Sequence, residues 1–314
     1  MFHDPPERKA QTLSLQLPER SAGTTRRLRR LALLILLGTS LIVLGGCGSD
    51  NEFERLAMPK PATVEGEHTL ALWQGAWIAA LITGAVVWGL IFYAIWKFRR
   101  RSDDEVPVQT RYNLPLEIFY TIFPIIMVVV FFSHTVRVQN LVLNDEDVQP
   151  TNTVYVVGQQ WSWTFNYPES FKNPETGEMV NIYTSGTGRD IPTLVVPVDE
   201  TTRFELRSPD VIHDFGVPGF LIKMDVMPGQ KNHFQVTPKV EGATYDGKCY
   251  ELCGTYHSRM LFSVHVVNEA DYQKYLADQF AKGFYSDQPV CGGKYSTTQV
   301  GLDVEESQIQ EVCQ

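Results

Sequence analysis

Hydrophobic residues are distributed unevenly along the chain and predict a membrane part followed by a β-rich part. The first stretch, residues 70–96, carries no charged side chain and has Trp and Tyr residues towards its ends. The second, residues 116–136, has one acidic residue at its start. Each is long enough to cross a bilayer as a helix, since about 20 apolar residues span the hydrocarbon core. Aromatic residues near the ends are typical of membrane-spanning helices.

Beyond about residue 141 the pattern changes to short β-branched and aromatic runs separated by Pro and Gly. About seven or eight short strands without a helical period favour a Greek-key sandwich or barrel. Turns are expected at Pro218-Gly219 and Pro228-Gly229. The clearest strands are 153–157, 194–198, 202–206, 233–236 and 261–267. Residues 139–270 are therefore predicted to form an all-β domain, followed by a C-terminal helix (269–281) and tail within 271–314.

A shorter apolar run lies nearer the N-terminus, at residues 31–44, directly after an Arg-rich segment. A basic region, an apolar core and a small-residue junction indicate an export signal, too short to span a bilayer comfortably. The junction Leu44-Gly45-Gly46-Cys47 resembles a bacterial lipobox, which implies cleavage before Cys47 and lipid attachment to its thiol. The alternative is an uncleaved anchor in which Cys47 has no role. We expect residues 1–46 to be the signal and 47–69 an extracytoplasmic segment.

Basic residues indicate how the two helices, together residues 70–138, are oriented. The connecting loop, 97–115, is the basic part, with Lys97, Arg99, Arg100, Arg101 and Arg111. Because basic loops remain in the cytoplasm, both outer ends are expected outside the cell. The chain is thus predicted to be a multi-pass protein of a bacterial plasma membrane, with its β domain on the extracytoplasmic side.

The exported part is acidic. From Gln139 onward there are 12 Lys and Arg against 24 Asp and Glu, a net charge of −12. Such a field would speed the association of a basic redox partner, although ordinary solubility is an equally good explanation. The sign of the charge argues against nucleic-acid binding.

The most informative motif is a short segment with four side chains that bind soft metals. Cys249, Cys253, His257 and Met260 lie within it, and His213 follows an upstream strand. Thiolate, thioether and imidazole favour copper, whereas a structural zinc site has no use for Met. A disulfide between the two cysteines is the simplest alternative. A single-copper site needs only one Cys, so the second thiol suggests that two copper ions are bridged.

The pattern C-x-E-x-C-x3-H-x2-M, with D-V-x-H-x-F upstream, resembles the dinuclear copper (CuA) site of subunit II of haem-copper cytochrome c oxidases. The resemblance implies a cupredoxin-like barrel attached to a two-helix transmembrane hairpin. It also implies that the Glu251 carboxylate reaches a magnesium ion at the boundary with subunit I. The implied ligands of the two copper ions are His213, Cys249, the Glu251 carbonyl, Cys253, His257 and Met260.

The same resemblance implies roles for two further residues. In the Q-W-x-W segment Trp161 would receive electrons from cytochrome c, while Trp163 would pack in the core. Because aromatic and polar residues alternate here, Trp161, Trp163 and Phe165 are expected on one face of a strand. Glu117 begins an E-x3-T-I-x-P segment and would lie at the mouth of a proton channel, although the helix dipole alone favours an acid there.

Cys291 and Cys313 lie outside the metal-binding motif. In an exported segment they could form a disulfide that stabilises the fold by about 3 kcal/mol.

The expected function is that of an oxidase subunit without its own oxygen chemistry. It would accept electrons from cytochrome c, or from a tethered c-type cytochrome, and pass them to the subunit that reduces oxygen to water, coupled to proton translocation. The alternatives are a membrane-anchored copper chaperone or thiol oxidoreductase, a quinol-oxidase subunit II and a nitrous-oxide-reductase-type domain. The strand-rich pattern, the complete ligand set and the two-helix anchor argue against these in turn.

Overall fold

The computed structural model describes residues 51–143, 148–186 and 190–290. The predicted export signal, Cys47, Cys291 and Cys313 lie outside these residues. The described part contains two long helices, a β domain of two sheets and a third helix near its end.

The two long helices agree with the predicted membrane hairpin. Helix α1 spans Val64–Lys97 and helix α2 spans Leu114–Val142. Both are long and apolar enough to cross a membrane, and their most apolar windows are not buried within the chain. Apolar helix surfaces without a cover from the chain itself are suited to contact with lipid.

Both helices begin before the apolar runs because polar residues cap them. The Thr63 hydroxyl accepts a hydrogen bond from the Gly66 N–H at 3.1 Å. The Asn113 side chain accepts one from the Leu116 N–H at 3.4 Å. Such caps provide acceptors for N–H groups that lack a partner in the first helical turn. The polar first turns therefore extend the helices beyond the predicted 70–96 and 116–136.

The β domain has more strands than predicted, eleven in the described residues, arranged in two sheets. The strands are β1 (Asn152–Gln159), β2 (Ser162–Lys172), β3 (Met179–Ser185), β4 (Thr193–Pro197), β5 (Thr202–Arg207), β6 (His213–Val217), β7 (Ile222–Val226), β8 (Asn232–Val236), β9 (Thr244–Cys249), β10 (Leu261–Val267) and β11 (Tyr285–Ser286). One sheet has the order β11-β3-β2-β1-β5-β8 and the other β4-β10-β9-β6-β7. Helix α3, Glu269–Ala281, has the predicted bounds.

Aromatic residues from both sheets form the core between them. Phe215 of β6 stacks on Phe262 of β10, with ring centroids 4.7 Å apart. Trp163 of β2 meets both rings edge-on, at 5.5 and 5.4 Å. All three are at most 1% exposed, and burying each stabilises the fold by about 2–3 kcal/mol. Trp163 is therefore part of the core, as expected.

The start of α1 is hydrogen-bonded to the β domain. The Ala62 N–H donates to the Gly219 carbonyl at 2.7 Å, and the Val64 N–H donates to the Thr237 carbonyl at 3.1 Å. The Glu65 carboxylate accepts hydrogen bonds from the Thr237 N–H and hydroxyl, at 2.9 and 3.2 Å. We call this region, residues 62–65 with 218–220 and 237–239, the helix-docking end of the β domain.

Strand β6 connects this region to the predicted ligands. It begins at His213 and ends at Val217, immediately before the helix-docking residues 218–220. The helix-docking end and His213 therefore lie at opposite ends of one buried strand.

Candidate metal centre

The predicted ligands come together at the other end of the sandwich. Cys249 ends β9 and Met260 immediately precedes β10, while Cys253 and His257 lie in the loop between these strands. The Cys249 N–H donates to the Met260 carbonyl at 3.0 Å, so the loop is closed between its first and last predicted ligands. His213 begins β6, which pairs with β9. We call this region, residues 160–161, 210–213 and 249–260, the ligand end.

Cys253 lies next to two other donors. Its Sγ is 3.6 Å from His257 Nδ1 and 3.8 Å from Met260 Sδ. Met260 is fully buried and Cys253 is 3% exposed, so water has little access to either sulfur. A buried thioether beside a thiol and an imidazole is a donor set suited to copper.

Cys249 forms a second group of donors. Its Sγ lies 3.9 Å from His213 Nδ1 and 3.2 Å from the Glu251 carbonyl oxygen. Each thiol therefore has an imidazole and one weaker ligand close by. In the described part of the chain, the group of metal-binding side chains whose ligand atoms all lie within 4.8 Å of one another is His213, Cys249 and Cys253.

The two thiols are free, which excludes the disulfide alternative in this structure. Their sulfur atoms are 3.9 Å apart, nearly twice the distance of about 2.05 Å in a disulfide. This separation leaves both thiols available as ligands. Two free, buried thiols with two imidazoles and a thioether fit the soft metal that the sequence predicts.

The two thiols differ in acidity. The hydrogen bond between the two thiols has the largest effect on Cys249 and lowers its pKa well below the usual value, although burial opposes this. The same hydrogen bond, together with burial, raises the pKa of Cys253. Cys249 therefore loses its proton more readily than Cys253, and both thiols must be deprotonated when they bind a metal.

His213 is oriented by an acidic residue, Asp210, that was not among the predicted site residues. Its Nε2 lies 2.9 Å from the Asp210 carboxylate, while Nδ1 faces Cys249. Burial alone would lower the pKa of His213, but the hydrogen bonds with Asp210 and Cys249 outweigh burial and raise it. A carboxylate behind an imidazole fixes the tautomer and the ring orientation. The Asp at the start of D-V-x-H was the available sequence signal.

Side chains of the β1–β2 hairpin bind the carbonyl groups of the ligand loop. Trp161 Nε1 and Gln160 Nε2 both donate to the Cys253 carbonyl, at 3.1 and 2.6 Å. Trp163 Nε1 donates to the Met260 carbonyl at 3.2 Å. These three bonds fix the backbone of two predicted ligands. Gln160 was not among the predicted site residues, because its partner is far away in the chain.

Trp161 itself lies in the turn between β1 and β2, not within a strand with Trp163 and Phe165 as expected. It is 5% exposed, and its ring meets that of Tyr256 edge-on, with centroids 5.0 Å apart. The indole lies beside the ligand loop, and its near-complete burial was not anticipated.

Glu251 is the residue expected to bind magnesium, and Glu117 is the residue expected at the mouth of a proton channel. The Glu251 residue is exposed, and its carbonyl faces Cys249. Glu117 accepts a hydrogen bond from the Asn113 N–H at 2.8 Å, and together with the Asn113 side-chain cap this forms a reciprocal capping arrangement. Helix capping is thus sufficient to explain an acid at position 117.

Comparison with known proteins gives the family. The family described as cytochrome c oxidase subunit II, periplasmic domain, matches residues 152–267. The probable cytochrome c oxidase subunit 2 of Streptomyces avermitilis is 44% identical over 296 residues, covering 85% of this chain and 92% of the relative. The chain belongs to the cytochrome c oxidase subunit 2 family. The subunit 2 of Mycobacterium bovis is 35% identical over 317 residues, covering 85% of this chain and 87% of the relative.

Membership of the cytochrome c oxidase subunit 2 family makes the chain a subunit of an oxidoreductase complex and implies that its β domain binds copper. A membrane protein with two apolar helices fits this family. Among solved structures, the periplasmic domain of subunit II of cytochrome oxidase from Bradyrhizobium japonicum is 26% identical, covering 44% of this chain and 98% of that chain with a TM-score of 0.36. The assignment rests on the sequence relatives.

Proposed function

We propose that this oxidase subunit accepts single electrons from a c-type cytochrome at a dinuclear copper site and passes them to the haem-copper subunit. The observation that carries the proposal is the convergence of two free, buried thiols with two imidazoles and a thioether. Bound copper would supply one-electron redox chemistry. The proposed ligands are His213, Cys249, the Glu251 carbonyl, Cys253, His257 and Met260.

The protein's part in this function is to hold the donors in place and to exclude water. The hydrogen bond from Cys249 to Met260 joins the ends of the ligand loop, and indole N–H groups bind two of its carbonyls. A preorganised site needs little rearrangement when charge changes, which favours rapid electron transfer. Asp210 contributes by holding the His213 ring in one orientation.

Trp161 is the proposed point at which electrons reach the site. Its indole N–H binds the carbonyl of Cys253, which connects the ring to a copper ligand through one hydrogen bond. The donor could be a free cytochrome c or a c-type cytochrome tethered within a larger assembly.

Stopped-flow mixing of the purified, oxidised complex with ferrous cytochrome c tests this proposal. We expect ferrous cytochrome c to reduce the copper centre of the wild-type complex. We expect Trp161→Ala to slow that reduction while copper remains bound. Failure of ferrous cytochrome c to reduce the wild-type centre would contradict the proposed function. Loss of copper from Trp161→Ala would instead assign Trp161 to packing.

We further propose that the chain is a multi-pass lipoprotein of a bacterial plasma membrane. In this arrangement residues 1–46 are removed, Cys47 is lipidated, residues 47–69 precede the anchor (70–138), and the copper domain (139–270) with its tail (271–314) lies outside. The basic loop at 97–115 supports this orientation. Mass spectrometry of the mature N-terminus tests it: an unmodified Cys47 thiol or an intact residue 1 would contradict the lipoprotein assignment.

Other oxidase subunits complete the proposed function. Subunit I would reduce oxygen to water with proton translocation, and the exposed Glu251 carboxylate would contribute one ligand to a magnesium ion shared with it. Glu117 would lie at a proton entrance. Glu117→Gln separates this role from capping: slower proton uptake with an unchanged melting temperature supports a proton path, whereas unchanged uptake contradicts it.

Zinc is the second candidate occupant, because two Cys and two His suffice for a closed tetrahedral site. The buried Met260 thioether, 3.8 Å from Cys253 Sγ, argues for copper instead.

A further inference from the structure

The indole proposed to receive electrons is covered by another aromatic ring. Trp161 is 5% exposed, whereas Tyr256 is 43% exposed. The two rings are perpendicular, with centroids 5.0 Å apart. A protein that approaches this part of the ligand loop from solvent therefore meets Tyr256 before it meets Trp161.

The loop around Tyr256 is ordered by local hydrogen bonds. The Arg259 N–H donates to the Tyr256 carbonyl at 2.8 Å, and the His257 N–H donates to the Gly254 carbonyl at 3.2 Å. The Arg259 guanidinium lies 5.5 Å from the Tyr256 ring centroid, within the range of a cation–π interaction. Tyr256 is thus held between a buried indole and a cation, with the remainder of its ring facing outwards.

Gly254 allows this close approach of the loop to the indole. Its φ is +119°, and a Cβ atom there would lie 3.0 Å from Trp161 Cζ2. A side chain at this position would be strained and would push the loop away from the indole. The backbone is therefore built to keep the Tyr256 segment against Trp161.

The ligand end exposes other apolar residues besides Tyr256. Leu252, next to Cys253 in the chain, is 77% exposed, and Ile212, next to His213, is 44% exposed. Exposed aromatic and apolar side chains suit the centre of a binding interface. The charge of the exported part would attract a basic donor over a long range, while Tyr256 would make the contact.

We infer that Tyr256 is the contact residue for the electron donor, a c-type cytochrome, and relays electrons through Trp161 to the Cys253 backbone. This inference rests on the proposed function. One electron would leave the donor's ferrous haem, which would become ferric, and would reach the copper held by the proposed ligands. Neither aromatic ring would change its own oxidation state. The Tyr256 ring makes the contact with Trp161, so we expect the relay to require the ring and not the hydroxyl.

Hydroxyl-radical footprinting of the intact oxidase complex tests the contact without turnover. Oxidised cytochrome c, which cannot donate an electron, is the probe. We expect saturating cytochrome to protect Tyr256 and to leave Tyr285 reactive; Tyr285 is 40% exposed, nearly the same as Tyr256, and packs on Phe280 at 4.4 Å. Two outcomes would overturn the inference: equal reactivity of Tyr256 with and without cytochrome, or a Tyr256 already unreactive because another subunit covers it.

Variants of the same complex test the relay. We expect Tyr256→Leu to lower the second-order rate of copper reduction by ferrous cytochrome c about tenfold, as for the loss of an aromatic contact at an interface. Tyr256→Phe keeps the ring and should stay within about twofold of wild type, and Tyr285→Leu should have no effect. Copper content and the electron paramagnetic resonance spectrum should be unchanged in all three.

The outcomes separate the relay from the proposed function. A Tyr256→Leu complex that is reduced at the wild-type rate would overturn the relay and leave the proposed function intact. A wild-type complex that takes no electron from cytochrome c would contradict the proposed function itself. Slower reduction accompanied by a changed copper spectrum would also overturn the relay, because Tyr256 would then act on the ligands.

Discussion

The two ends of strand β6 are both tied to distant parts of the chain, but by different kinds of bond. At the helix-docking end the contacts of Ala62 and Val64 are backbone hydrogen bonds, supplemented by the Glu65 carboxylate. At the ligand end, indole N–H groups of Trp161 and Trp163 bind carbonyl groups of the loop.

This difference corresponds to what each end must keep fixed. Backbone pairing at the helix-docking end attaches a membrane helix and tolerates many side chains. The ligand end must hold donor atoms at set distances, and there specific side chains fix the carbonyls of Cys253 and Met260. We therefore expect the loss of a ligand, or of a side chain that orients a ligand, to change the metal centre, and substitutions at the helix-docking end to change stability alone.

The largest effect is expected for Cys253→Ala. Its sulfur lies within 3.9 Å of Cys249 Sγ, His257 Nδ1 and Met260 Sδ. The substitution therefore removes the one donor atom that lies close to all three of the others. We expect the two-copper spectrum to disappear and copper to fall to one ion per chain or fewer, measured by metal analysis and optical absorption. Retention of two coppers with the wild-type spectrum would contradict the ligand assignment.

Trp163→Ala should affect both the stability of the fold and the binding of copper. The side chain is fully buried against Phe215 and Phe262 and also binds the Met260 carbonyl. Truncation of a buried Trp costs about 3–5 kcal/mol. We expect a lower melting temperature by near-ultraviolet circular dichroism and weaker copper binding. Trp88→Ala is a control, since Trp88 is 59% exposed on α1 and should leave copper binding unchanged.

Asp210→Asn tests whether a residue that binds no metal still tunes the ligand end. The Asp210 carboxylate orients His213 and also accepts the Gln160 N–H at 2.7 Å. Loss of such an orienting carboxylate typically weakens metal affinity about 10–100-fold. Competition with a copper chelator measures this change. If copper affinity is unaltered, the hydrogen bond to His213 has no functional role.

The smallest effect is expected for Glu65→Ala. It removes two hydrogen bonds to Thr237 at a partly exposed site, which should lower the free energy of unfolding by about 1 kcal/mol. The copper spectrum should be unchanged, because the substitution lies at the far end of β6. An altered spectrum would show that the two ends are coupled and would contradict the distinction between them.

Much of the architecture could be predicted from local patterns. The apolar cores of α1 and α2 and the bounds of α3 were predicted, because each depends on residues close together in the chain. Strand β6 was not predicted, because all of its residues are buried and it lacks the alternation of a surface strand. Strand β9 was also not predicted, because Gly247 weakens its sequence pattern. The glycine is nevertheless required there, because the Phe262 ring leaves no room for a Cβ atom.

The donor residues of the candidate site could likewise be predicted from spacing, since all except His213 lie within residues 249–260. The residues that support the donors were harder to predict. Gln160 and Tyr256 contact residues that are remote in the chain or that only the fold brings close, and no local pattern indicates such pairs. Asp210 differs, because it lies only three residues before the His213 that it orients. The covering of Trp161 by Tyr256 could be seen only once the loop and the hairpin were placed together.

The most direct test of the account is the copper content and electron paramagnetic resonance spectrum of the purified chain. We expect two coppers per chain that share one unpaired electron, because two thiols lie between two imidazoles at the ligand end. A single copper with a blue-copper spectrum, or zinc alone, would contradict the central claim.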